Sequence, residues 1–148
     1  MPWTGYPQEA TRNWMVFWYS GGMKTLKFRV WDRKRNKMCC PFTLEEVSYE
    51  GFPEPFTDEN GECDITAEYT VAQYTGICDK NGVEIYEGDL IMFPNFNHNP
   101  SNGDDPMLIE RVSEVDGAFS LDLYLLREID PQDREVVGNI YENPELLK

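Results

Sequence analysis

The chain of 148 residues has little of the chemistry that most enzyme and metal sites require. Its one histidine, His98, lies in a stretch rich in Asn, Pro, Gly and Asp, which is typical of a surface loop. No Walker loop, Gly-x-Gly-x-x-Gly or His-Glu-x-x-His motif occurs. The four cysteines have no Cys-x-x-Cys or Cys-to-His spacing that suits zinc. We therefore expect no catalytic residue, no metal and no cofactor.

Long apolar runs are also missing. The longest, residues 14–19 (WMVFWY), is too short to cross a bilayer, and the first residues lack the charged stem, apolar core and cleavage site of a secretory signal. Hydrophobic residues nevertheless make up 41% of the chain and aromatic residues 14%, too much for a disordered acidic tail. These features predict a soluble globular protein in the cytoplasm with no membrane partner.

Basic residues are few, and they are unevenly placed. The chain has 13 Lys and Arg against 27 Asp and Glu, a net charge of −14. Residues 23–38 carry a net charge of +6, whereas residues 39–148 carry −20. A molecule with this net charge repels phosphate backbones, so direct nucleic-acid binding is disfavoured. We expect the basic run to pair with the acidic body or with a neighbouring subunit.

Short apolar segments separated by turn residues predict a mainly β fold. Residues 26–31 alternate between apolar and basic side chains, the period of a half-buried strand. Residues 79–82, 86–89 and 115–117 contain the Asp, Asn and Gly of tight turns, and a helical turn is expected after Asn143. Further strands are predicted at residues 65–74, 90–93, 107–113, 118–125 and 135–141. This spacing indicates an antiparallel β roll or small barrel with short helical turns.

Two regions are expected along the chain. Residues 1–22 hold six aromatic side chains and end at Ser-Gly-Gly, so they read as an aromatic-rich N-terminal extension. Residues 23–148 form the β domain, in which residues 50–64 and 94–106 are expected to be irregular loops. The aromatic extension would have to cover the domain, meet another chain or remain poorly ordered.

Three blocks occur in order and carry a family resemblance. They are residues 26–32 (LKFRVWD), residues 73–89 (QYTGICDKNGVEIYEGD) and residues 137–147 (VGNIYENPELL). Together they resemble the YopX family of bacteriophage and prophage proteins over residues 23–148. The resemblance implies a phage-encoded, mainly β protein in the cytoplasm of a bacterial host. It also implies assembly into homo-oligomers, a hexamer being one arrangement to expect, with no established activity.

The motif residues allow two interpretations. In the first, they are structural, because glycine, asparagine and aspartate are common in turns and bulges. The residues so explained are Gly76, Asp79, Asn81, Gly82, Gly88, Asp89 and Gly138. In the second, polar and aromatic side chains of the same blocks converge on a binding pocket. Its residues would be Tyr74, Tyr86, Glu87, Asn139, Tyr141 and Asn143.

Four functions follow from these patterns. The first is a non-catalytic phage accessory protein that binds itself and an unknown host protein. The second is an acidic mimic of DNA that blocks a host nuclease, restriction or defence factor. The third is a nucleotide or small-molecule binder whose pocket would combine aromatic residues with Arg29, Arg111 or Arg127. The fourth, an enzyme, is disfavoured because no catalytic signature is present.

Overall fold

A computed structural model of the protein describes residues 26–46 and 68–147. The predicted N-terminal extension and the predicted loop over residues 50–64 lie outside the described residues. Ten strands run through the described part of the chain. They are β1 (Lys27–Asp32), β2 (Lys37–Met38), β3 (Phe42–Thr43), β4 (Tyr69–Cys78), β5 (Glu84–Tyr86), β6 (Asp89–Pro94), β7 (Met107–Val115), β8 (Ala118–Leu121), β9 (Tyr124–Leu125) and β10 (Glu135–Asn139).

The strands form two antiparallel sheets. The first has the order β2-β1-β4-β5, with β3 also pairing with β1, and the second has the order β10-β6-β7-β8-β9. One sheet curls into a half-barrel, and short 3₁₀ turns occupy Pro100–Asn102, Leu126–Glu128, Pro131–Asp133 and Pro144–Leu146. The predicted mainly β antiparallel fold with short helical turns is therefore confirmed. The turn at Pro144 begins where the Asn-Pro pair predicts it.

The two sheets pack against each other through an apolar cluster. Ile85 of the first sheet joins Ile91, Phe93 and Val112 of the second sheet in this cluster, and all four are at most 1% exposed. Leu121, Leu126 and Ile129 complete it. Because burial of apolar area contributes about 25 cal/mol per Å², these contacts are the main force holding the sheets together.

One predicted strand is wrong. Residues 118–125 were expected to form one strand, but the chain reverses at residues 122–123 and makes the separate strands β8 and β9. Asp122 has a φ of 47° at this turn, in the left-handed region that Asp enters more easily than most residues. The turn contains no glycine or proline, and the apolar alternation continues through it, so the pattern could not show the reversal.

Strand β4 ends later than predicted, and residues 65–67 of the predicted strand lie outside the described residues. It continues past Tyr74 to Cys78, and its pairing with β5 shifts register between these two residues. Gly76 lies in this shift with a φ of 82°, a conformation that favours glycine. The predicted strand at residues 107–113 likewise extends to Val115. Among the described residues, no helix has the length and apolar character needed to cross a membrane.

Candidate functional site

The turn after β4 is organised by one carboxylate. Asp79 is 5% exposed, and its Oδ1 accepts hydrogen bonds from the backbone N–H groups of Asn81 (2.8 Å) and Val83 (2.9 Å). Its Oδ2 accepts the N–H of Val136 in β10 (3.1 Å), which joins the two sheets. Burial alone would raise the pKa of Asp79, but these three N–H donors outweigh burial and hold the pKa below its ordinary value.

The turn between β5 and β6 is organised by a second carboxylate. Asp89 is 1% exposed and accepts the backbone N–H of Tyr86 (2.8 Å) through Oδ2. Its Oδ1 forms an ion pair with the guanidinium of Arg29 on β1. Burial raises the pKa of Asp89, against the opposing effects of Arg29 and the Tyr86 N–H. In the same turn, the Gly88 N–H donates to the Val112 carbonyl (2.9 Å).

A cluster of aromatic and charged side chains lies on the first sheet beside this ion pair. The rings of Tyr74 and Tyr86 have centroids 5.4 Å apart, and the Arg29 guanidinium carbon lies 4.6 Å from the Tyr86 ring centroid. The Tyr86 hydroxyl donates to Glu84 Oε2 (2.8 Å), and Lys27 donates to both carboxylate oxygens of Glu84 (2.7 and 2.8 Å). Lys27, Arg29, Tyr74, Glu84 and Tyr86 are called the tyrosine cluster below.

Burial and internal hydrogen bonds shift the pKa values of three groups in the tyrosine cluster. Burial, followed by the hydrogen bond with Cys78, raises the pKa of Tyr74 far above its ordinary value. Burial, followed by the hydrogen bond to Glu84, does the same for the pKa of Tyr86. The hydrogen bond from Lys27 lowers the pKa of Glu84. At neutral pH both phenols are therefore protonated and Glu84 is ionised.

Two open clefts border the residues that the sequence singles out. The first, of about 460 Å³, lies at the edge of the tyrosine cluster and is lined by Lys27, Pro41, Thr43, Glu46, Tyr74 and Glu84. The second, of about 240 Å³, lies between β4 and β7 and is called the inter-sheet cleft. Its lining includes Glu87, Arg111, Glu114 and Tyr141, and the Tyr141 ring stacks on Trp31 with centroids 5.4 Å apart.

The C-terminal turn uses two asparagines internally. Asn139 Oδ1 accepts the backbone N–H groups of Tyr141 (3.0 Å) and Glu142 (2.9 Å). Asn143 Oδ1 accepts the N–H of Asn139 (3.4 Å). This oxygen lies so close to Gly138 that any Cβ at position 138 would collide with it. Here glycine is required by close approach rather than by its φ angle.

The structure divides the six candidate binding residues among three places. Tyr74 and Tyr86 lie together in the tyrosine cluster, whereas Glu87 and Tyr141 line the inter-sheet cleft. Asn139 and Asn143 hydrogen-bond within the C-terminal turn. Whether any of them binds a ligand stays a prediction. The described residues contain no group of three or more His, Cys, Asp or Glu side chains that could hold a metal ion.

The three arginines named for a nucleotide pocket are also separated. Arg29 is paired with Asp89, Arg111 lines the inter-sheet cleft, and Arg127 lies exposed in the 3₁₀ turn Leu126–Glu128. Arg111 shares the inter-sheet cleft with the aromatic Tyr141, and Arg29 lies over the Tyr86 ring in the tyrosine cluster.

Comparison with known proteins agrees with the fold. The family model described as "YopX protein" matches residues 27–148. The chain belongs to the YopX family. Its structure is similar to the crystal structure of protein EF1440 from Enterococcus faecalis, with a TM-score of 0.52 and 24% sequence identity over 85% of this chain and 100% of that chain. At this identity the similarity shows the fold alone. No curated protein sequence matches the chain.

One buried residue that links several elements is not apparent from the sequence. Arg134 is 6% exposed, and its guanidinium donates to the backbone carbonyls of Cys78 (2.9 Å) and Ile129 (2.7 Å). It also donates to the Leu126 carbonyl (3.4 Å), and burial lowers its pKa. An arginine between polar residues is predicted to be exposed. Its burial depends on carbonyls up to 56 residues away, which a local sequence pattern does not show.

Proposed function

We propose that this protein is a non-catalytic accessory protein of a phage or prophage, acting by binding as a homo-oligomer in the cytoplasm of the bacterial host. The main support for this proposal is that polar side chains of the family motif form hydrogen bonds within the fold. Asp79 and Asp89 hold backbone N–H groups and an arginine, and Asn139 and Asn143 hold the C-terminal turn. These groups are committed to the fold, and the phenols of Tyr74 and Tyr86 remain protonated.

Exposed apolar side chains support assembly. Val115 is 54% exposed and Leu123 is 84% exposed, and both line one depression of about 270 Å³ at the end of the second sheet. An apolar surface of this kind costs free energy in water unless another chain covers it. Contact between copies at this depression would remove that cost.

The first test is the molar mass of the full chain in solution. Size-exclusion chromatography with light scattering is expected to give a multiple of 17.2 kDa. The double substitution V115S/L123S should lower the mass, while V83S, at a 47% exposed valine in the β4–β5 turn, should leave it unchanged. A chain starting at Met23, measured in parallel, shows whether residues 1–22 contribute to assembly. A monomer at all concentrations would contradict the proposal.

The partner outside the chain is proposed to be a host protein. Affinity purification of the tagged protein from host cells, followed by mass spectrometry of proteins and small molecules, is the experiment that would identify it. A host nuclease or restriction enzyme, released by salt and inhibited by the protein, would favour the DNA-mimic function instead. A bound nucleotide, with thermal stabilisation by the same compound, would favour the ligand-binding function.

A further inference from the structure

Two strands present backbone edges to the inter-sheet cleft. The Arg33 N–H donates to the Glu68 carbonyl, and with the β1–β4 register this makes Arg29–Ala72 and Trp31–Thr70 the hydrogen-bonded pairs. The N–H and C=O of Val71 therefore point away from β1. They point to the side on which the Glu87 N–H already donates to the Gln73 carbonyl (2.9 Å).

The same argument applies to β7. Its two-residue turn to β8 makes Val115–Ala118 and Ser113–Ser120 hydrogen-bonded pairs, so the backbone groups of Val112 and Glu114 face the opposite side. On that side the Val112 carbonyl accepts from the Gly88 N–H (2.9 Å), but β6 begins only at Asp89 and does not extend alongside Glu114. In the described structure, no backbone partner faces Val71 or Glu114 on these sides.

The turn residues Glu87 and Gly88 thus bridge the edges of β4 and β7. One step further along both strands, at Val71 and Glu114, the space between the two edges is open. Val71, Glu87, Gly88 and Glu114 all line the inter-sheet cleft. Backbone edges of this kind bind an extended segment by adding a strand, with main-chain hydrogen bonds supplying affinity. The 49% exposed side chain of Val71 adds an apolar contact beside the open position.

The charges of the cleft indicate which segment fits. The carboxylates of Glu87 and Glu114 line it, and neither forms an ion pair with any described residue. Arg111 donates to the Ser113 hydroxyl (3.2 Å), and the chain as a whole has a net charge of −14. We propose that the inter-sheet cleft binds an extended basic peptide segment of a partner protein, added as a strand between Val71 and Glu114. This inference rests on the proposed binding function and names its site.

The direct test is a backbone substitution. V71P removes the edge N–H and leaves the β1 pairing intact, because that N–H points away from β1 and proline is tolerated at strand edges. V71T, which keeps the N–H, is the matched control. Random ten-residue peptides displayed on phage are selected on the full-length protein, and the enriched peptides are measured by fluorescence anisotropy. We expect basic sequences, with affinity about tenfold lower for V71P and nearly unchanged for V71T.

Three further measurements locate the contact. Amide exchange followed by NMR should show protection at Val71 and Glu114 when the selected peptide binds. If V71P does not fold, N-methylation of alternate peptide amides removes the same bonds from the peptide side and should weaken binding similarly. E87Q and E114Q should each reduce affinity for the basic peptide, more strongly at low salt.

Several outcomes overturn the inference. They are the absence of any peptide enriched over a control protein, equal affinity for V71P and the original chain, and protection confined to other residues. A fall in molar mass of V71P without peptide would show that a second copy occupies the cleft instead. The proposed function fails separately: a monomeric chain that still binds the peptide contradicts the homo-oligomer and leaves the cleft proposal standing.

Discussion

Asp79 shows how a motif aspartate stabilises this fold. It accepts three backbone N–H groups, one of them from β10, 57 residues away. We expect D79N to lower the free energy of unfolding by about 2 kcal/mol, because charged hydrogen bonds are lost and a buried amide is left with poorer partners. Urea unfolding measures the loss. D133N, at an exposed aspartate in Pro131–Asp133, should change stability by less than about 0.5 kcal/mol.

The same carboxylate predicts a dependence of stability on pH. The pKa of Asp79 in the folded protein lies below its ordinary value of 3.8. The stability that it contributes is therefore present above the unfolded-state pKa and is lost as the pH falls through the folded-state pKa. Urea unfolding between pH 6 and about pH 3 should show a smaller decrease for D79N than for the original chain. Parallel curves for the two proteins would contradict this assignment.

Gly138 gives a test of close approach between two residues. A Cβ at position 138 would collide with the Asn143 side chain, so G138A should destabilise the protein by about 1–3 kcal/mol. N143G should relieve part of that cost in the double variant, a coupling that a double-mutant cycle measures. G103A, where φ is 74° and no atom lies near, controls for backbone strain alone. Strictly additive effects of G138A and N143G would contradict the proposed contact.

At the scale of elements, Arg134 links β4, the 3₁₀ turn Leu126–Glu128 and β10. R134A would leave the buried carbonyls of Cys78, Leu126 and Ile129 without this donor, so we expect a loss of about 2–4 kcal/mol in unfolding free energy. R127A, at an exposed arginine of the same turn, should have little effect. Chemical denaturation measures the unfolding free energy of R134A and R127A. Equal values for the two variants would show that Arg134 does not stabilise the link between these elements.

The elements also show what could be predicted from the sequence. Apolar alternation and turn residues predicted β1, β6, β7 and β10 because these signals are local. The turn at Asp122 was missed because its geometry depends on a left-handed aspartate that the sequence pattern does not reveal. The ion pair of Arg29 with Asp89 joins residues 60 apart and could not be seen without the pairing of the strands.

The candidate site was predictable only in part. Tyr74 and Tyr86 were named from their motif, and they meet because β4 and β5 pair directly at these residues. Glu87 and Tyr141 reach a separate cleft, since the chain between Tyr86 and Asp89 turns from the first sheet to the second. The open strand edges at Val71 and Glu114 depend on backbone direction, which side-chain patterns do not report.

At the scale of the whole molecule, charge and exposed apolar area both bear on assembly. The basic residues 33–37 form an exposed turn on β1 and β2, while most of the chain is acidic. Contacts between the basic turn of one copy and the acidic surface of another would weaken as salt is added, because salt screens charges. Apolar contacts through Val115 and Leu123 would instead strengthen with salt. Light scattering at low and high salt separates the two contributions. We expect the oligomer to persist at 0.5 M salt, as an interface with an apolar centre should.

We propose that this chain acts by binding, as an assembly, while its motif side chains hold the fold. Sedimentation velocity on the full-length protein over micromolar concentrations tests it most directly. We expect a single species with a mass of two or more times 17.2 kDa. A single species of 17.2 kDa at every concentration would contradict it.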